Sequence, residues 1–81
     1  MEDETNLRVG ELARRTRISV RTLHHYHKIG LLCPSGRTAA GHRVYTLADL
    51  KRLQQIVSLR ELGLALREIA DALKGGGNGD A

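Results

Sequence analysis

The chain has 81 residues, so it is one domain at most, and a domain of this size buries only about 60% of the surface its unfolded chain exposes. No apolar stretch approaches the ~20 residues of a membrane span, the acidic start Glu2, Asp3, Glu4 is wrong for a secretory signal, and a lone cysteine excludes an internal disulfide framework. These features point to the cytoplasm. The net charge is +4 and it is unevenly spread. From Arg8 to Tyr45 there are eight basic residues and one acid, Glu11, whereas from Thr46 onward five bases meet five acids. All four histidines lie in the same stretch, before Thr46. That asymmetry is the electrostatic footprint of a face that binds a polyanion. With neither Phe nor Trp and only two Tyr, the core must be aliphatic.

Residues 1–6 read as a disordered polar leader. A first helix fits Val9 to Thr16, with Leu12, Ala13 and Thr16 on one face and Arg14 and Arg15 pointing outward. Arg17 and Ile18 form a tight turn. Ser19 is a good N-cap for a second helix from Val20 to Ile29, closed by Gly30 at the left-handed C′ position. Its inward residues are Leu23, Tyr26 in part, and His27 or Ile29; Arg21, His24, His25 and Lys28 face outward. Two short helices joined by a tight turn, the second basic, have the form of a helix-turn-helix.

Leu31 and Leu32 return to the core. The run from Pro34 to Gly41 holds too many helix breakers to continue a helix. Cys33 to Arg37 and His42 to Tyr45 read as the two strands of a hairpin that leans on the helices as a wing. Thr46 to Asp49 is a T-x-x-D capping box opening a third helix. Leu50, Leu53, Ile56 and Val57 form its apolar stripe, with Lys51, Arg52, Gln54 and Gln55 opposite, and Gly63 stops it. A fourth helix fits Leu66 to Lys74, with Leu66, Ile69, Ala70 and Leu73 inward and Ala65, a poor capping residue, at its start. Residues 75–81 are glycine-rich and read as a flexible tail or linker. The expected fold is therefore mostly α: a winged helix-turn-helix of four helices and one small β-hairpin, spanning residues 7–74.

A reading helix needs short residues at its N-terminal end and long basic or aromatic ones a turn later, because base edges specify and phosphates position. Ser19, Val20, Arg21, His24, His25, Tyr26 and Lys28 meet that need. Val20 suits a thymine methyl, Arg21 a guanine or a phosphate, and His25 and Tyr26 suit phosphate oxygens. At period 2, Arg43 and Tyr45 share a strand face and supply a second clamp on the backbone or the minor groove. The histidines and Cys33 lack the paired spacings of a structural zinc site, so no metal or cofactor is expected, and Cys33 reads as a partly buried packing residue. Paired carboxylates in the basic half, a nucleophile elbow and a phosphate-cradling glycine loop are all missing, so the chain does not read as an enzyme.

The run LRVGELARRTRISVRTLHHYHKIGLL, then P-x-x-R, then GHRVYTLADLKRLQQI, then RELGLALREIADAL, resembles the MerR family of bacterial transcription regulators. The HHY variant in the second helix looks most like the TipA-type branch. The resemblance covers about Leu7 to Leu73. It implies that the second helix enters the major groove of double-stranded DNA with Val20, Arg21, His24, His25, Tyr26 and Lys28. It also implies that Arg43 and Tyr45 hold the backbone, and that Arg60 with the start of the fourth helix makes an outer phosphate contact. Two positions depart from the family pattern: His27 stands where an acid is usual, removing an ion pair, and Ala65 replaces a capping Ser or Thr. Family members continue into a dimerisation helix and an effector domain, and the intact regulator engages RNA polymerase at a promoter. Without that helix the chain as given is expected to be monomeric. The other reading is an architectural or protein-interaction module of the excisionase type, which shares the winged form and acts without an effector domain.

Overall fold

The computed structural model describes residues 6–78, in the order α1 (Val9–Thr16), α2 (Val20–Lys28), β1 (Gly36–Arg37), β2 (Arg43–Val44), α3 (Leu47–Glu61) and α4 (Leu66–Asn78). The expected leader, apart from Asn6, and residues 79–81 of the expected tail lie outside the described residues. α4 runs through the glycines to Asn78, beyond the Lys74 end expected from sequence.

Most of these helix boundaries have a local cause. α1 ends at Arg17, which adopts the left-handed conformation (φ 64°) and donates its N–H to the Ala13 carbonyl. That single residue turns the chain into α2. The Ser19 hydroxyl caps α2 by accepting the Thr22 N–H at 3.0 Å. At the other end Gly30 (φ 76°) lets the Leu31 N–H reach the Tyr26 carbonyl at 2.8 Å while its own N–H reaches His27 at 3.0 Å. This is a Schellman closure, and it throws Leu31 and Leu32 into the core. The capping box on α3 forms in both directions: Thr46 Oγ1 accepts from the Asp49 N–H, and Asp49 Oδ2 accepts from the Thr46 N–H at 2.8 Å.

The wing is shorter than the sequence predicts. Only Gly36 and Arg37 pair with Val44 and Arg43. Cys33 to Ser35 leave the ladder because Pro34 has no N–H to give and Ser35 spends its N–H on Asp49 Oδ2 at 2.9 Å. Tyr45 leaves it too, pairing instead with Leu7 in a two-residue bridge. Gly36 sits so close to α3 that a Cβ there would lie 2.9 Å from Thr46 Cγ2. The hairpin is therefore held against the helices by close backbone approach and by the buried side chains of Val44 and Tyr45.

The core joins Leu12 of α1, Leu23 and Tyr26 of α2, Leu31, Leu32, Tyr45, Leu53 and Ile56 of α3, and Ile69 of α4. Leu50, Val57, Leu66, Ala70 and Leu73 pack on its edge. Three expected orientations are corrected. His27 and Ile29 are exposed rather than inward, because at about 100° per residue they flank the Leu23–Tyr26 stripe instead of extending it. Arg52, expected on the solvent side of α3, is half-buried and its Nε donates to the Leu31 carbonyl at 2.7 Å. Cys33, expected to be partly buried, is exposed and free, with only a long Sγ contact of 3.8 Å to the His27 carbonyl. No helix among the described residues is long and apolar enough to cross a membrane.

Candidate nucleic-acid interface

α2 buries one narrow stripe and exposes the rest. With Leu23 and Tyr26 inward, Val20, Arg21, His24, His25, His27 and Lys28 occupy the exposed arc, and Ser19 stands exposed at its N-terminal end. The arc contains no acid and the first turn of the helix contains none either. At about 100° per residue, Val20, His24 and His27 fall on one side of the arc and Arg21, Lys28 and His25 on the other. Val20 is 37% exposed, so an apolar contact is available beside the cations.

Tyr26 does not join them. Its residue is only 4% exposed and the ring packs in the core, opposite the cationic arc. The spacing that brings Arg21 and His24 outward turns Tyr26 in, which corrects the expectation that it faces DNA.

The wing meets α2 along the Val20–His24–His27 side. A cleft of about 300 Å³ opens there, walled by Arg8 and Val9 at the start of α1, His24 and His27 of α2, Pro34, and His42, Arg43 and Tyr45 of the wing. Arg43 is exposed, and its guanidinium is steadied by a 2.9 Å hydrogen bond to the Pro34 carbonyl. Tyr45 differs from the sequence expectation that it shares Arg43's exposure. It is 2% exposed, in the core, yet it still forms part of the cleft wall. Burial, the nearby Asp49 carboxylate and Cys33 push the Tyr45 phenol above its ordinary value, with Arg43 opposing. It therefore stays protonated at neutral pH, a hydrogen-bond donor toward an anion. Arg8, His27 and His42 were absent from the set read off the sequence. Their signal was the positive excess of the stretch from Arg8 to Tyr45, which gives no direction in space.

Three other basic groups are committed elsewhere. Arg14 and Arg15 pair with Glu11 at 3.7 and 3.1 Å, and Arg52 holds Leu31. Arg60 stands on a different element, exposed on the last turn of α3. Among the described residues no group of three or more His, Cys, Asp or Glu is placed to hold a metal ion.

A capped, cationic second helix set across a left-handed turn from the first, with a two-stranded hairpin beside it, defines a winged helix-turn-helix DNA-binding domain. The family model described as "MerR HTH family regulatory protein" matches residues 7–76. Over 65 residues the chain is 58% identical to the HTH-type transcriptional activator TipA of Streptomyces coelicolor, covering 80% of this chain and 26% of that protein. It is 53% identical over 68 residues to nodulation protein NolA of Bradyrhizobium elkanii, covering 84% and 31%. Among solved structures it resembles MtaN, the N-terminus of the Bacillus subtilis multidrug transporter activator. There the TM-score is 0.75 at 51% identity, covering 80% of this chain and 61% of that one. The chain belongs to the MerR family, as the DNA-binding domain of a transcription regulator. It spans under a third of the length of the curated relatives it matches.

Proposed function

We propose that this chain is the promoter-reading head of a longer regulator, with α2 in the major groove and the wing on the adjacent backbone. Ser19 and Val20 approach the bases at the N-terminal end of α2. Arg21 reads a base edge, and His24, His25 and Lys28 reach base edges or phosphates. Arg43 and the Tyr45 hydroxyl hold the backbone from the wing, and Arg60 with the start of α4 makes the outer phosphate contact. The observation that carries this reading is the acid-free exposed arc of α2, continuous through one cleft with the basic wing. The module works by binding alone. A lone head buries too little interface for tight affinity, so the intact regulator pairs two heads across a site and presents that site to RNA polymerase in the cytoplasm.

The test is enrichment of a duplex from a random library, followed by affinity measurements over a range of salt. Arg21→Ala should cost about 1–3 kcal/mol on the enriched duplex and relax its sequence preference. Arg43→Ala should weaken all sequences alike and lower the salt slope by about one. If both variants bind as the parent does, the assigned face is wrong.

A further inference from the structure

The cleft between α1, α2 and the wing holds more positive and proton-accepting groups than a simple backbone clamp requires. Arg8 and Arg43 are permanently charged, and His24, His27 and His42 are the side-chain type whose charge ordinarily changes between about pH 5 and 8. Those imidazoles come from two separate elements, α2 and the wing. Among the described residues no carboxylate lines the cleft. The nearest acids on the elements packed around it are engaged elsewhere: Glu11 of α1 with Arg14 and Arg15, and Asp49 of α3 with Ser35 and Thr46. Cys33, on the loop after α2, is close enough to Tyr45 to act on its phenol but does not line the cleft.

Two further observations identify the occupant as an anion. Tyr45 is buried, it lines this space, and its hydroxyl has no hydrogen-bond partner among the described residues, so a donor is left unused at the cleft wall. α1 starts at the cleft wall, and its N-cap residue, Arg8, makes no side-chain cap. The acid of its first turn, Glu11, is held by Arg14 and Arg15, so the N–H groups at the helix start leave room for an outside acceptor. A small, acceptor-only group satisfies the phenol, the helix end and both guanidiniums together. A phosphodiester is such a group, and about 300 Å³ accommodates it.

Resting on the reading that this face meets duplex DNA, we propose that the cleft is a proton-coupled phosphate seat: His24, His27 and His42 take up protons as a backbone phosphate enters, so DNA binding tightens as pH falls. The sign follows from linkage. A phosphate beside an imidazole favours the charged form, so the complex binds more protons than the free partners do. Affinity then rises as pH falls, by at most about tenfold per pH unit for each proton taken up.

The probe is the duplex enriched from the random library, with affinity measured by fluorescence anisotropy at constant ionic strength. The parent should bind at least about tenfold more tightly at pH 6 than at pH 8. The His27→Gln/His42→Gln double variant, altered only at exposed positions, should lose at least half of that logarithmic slope. Arg21→Ala, outside the cleft, should bind more weakly at every pH with the parent's slope. In the ring-proton NMR spectra of the parent, the titration midpoints of His27 and His42 should move to higher pH on adding DNA. A double variant that keeps the parent's slope, or a parent with no slope, overturns the proton coupling while leaving DNA binding intact. Failure to bind any duplex at any pH overturns both readings.

Discussion

Leu7 and Tyr45 exchange both of their backbone hydrogen bonds, at 3.0 Å from the Leu7 N–H and 2.7 Å from the Tyr45 N–H. This one bridge ties the segment entering α1 to the residue leaving the wing. It places Arg8 and Val9 beside His42 and Arg43, and so closes the cleft on its third side. It also turns the Tyr45 side chain into the core while Arg43, two residues earlier, remains outside.

Asp49 is the joint between the wing and α3. Its Oδ2 accepts from the Thr46 N–H at 2.8 Å, and from both the N–H and the hydroxyl of Ser35 at 2.9 Å. It thus caps the helix and pins the loop that starts the wing. Asp49→Ala should lower stability by about 1–3 kcal/mol, as expected for loss of a charged acceptor that leaves part-buried donors unpaired. Urea denaturation checks this, and a change within a few tenths of a kcal/mol would contradict the joint.

Arg52 is structural despite its charge. Arg52→Met keeps the aliphatic stem but strands the Leu31 carbonyl, which the guanidinium now satisfies at 2.7 Å. Stability should drop by about 1–3 kcal/mol, with the salt slope of DNA binding unchanged. A reduced salt slope in a variant of parental stability would instead place Arg52 on a phosphate.

α4 begins with half a capping box. Glu68 Oε1 accepts the Ala65 N–H at 2.8 Å, but Ala65 has no side chain to answer. Ala65→Ser supplies the missing acceptor and should stabilise the domain by about 0.5–1 kcal/mol. Thermal unfolding should then shift upward by a few degrees.

Tyr45 gives the domain an alkaline limit. Burial, the largest cause, raises its pKa above the ordinary tyrosine value. The unfolded chain therefore loses that proton first. The contribution is fully present below the unfolded value and is lost as pH rises from there through the folded value. Tyr45→Phe should remove this share, so stability between about pH 9 and 11 should decline less steeply than in the parent. Denaturant midpoints across that range decide it; parallel declines would show that Tyr45 titrates alike in both states.

Local chemistry in the sequence was enough to place both ends of α2 and α3, though not the end of α4, which runs on to Asn78. Ser19, Gly30, Thr46 with Asp49, and Gly63 each act within four residues, and the structure shows each boundary where its capping residue stands. The charge asymmetry likewise required only counting. What it could not supply was the direction of side chains whose partners are remote in sequence. Tyr26 turns in, Arg52 reaches back 21 residues to Leu31, and Ser35 takes Asp49 across 14. The wing was shortened for the same reason, since the donors and acceptors expected to pair across the hairpin were claimed by α3 and by Leu7. The cleft that gathers Arg8, His27 and His42 exists only because that tertiary pairing brings three segments to one place. A periodicity of 3.6 or 2 assigns a face to each element, and only packing decides which faces meet.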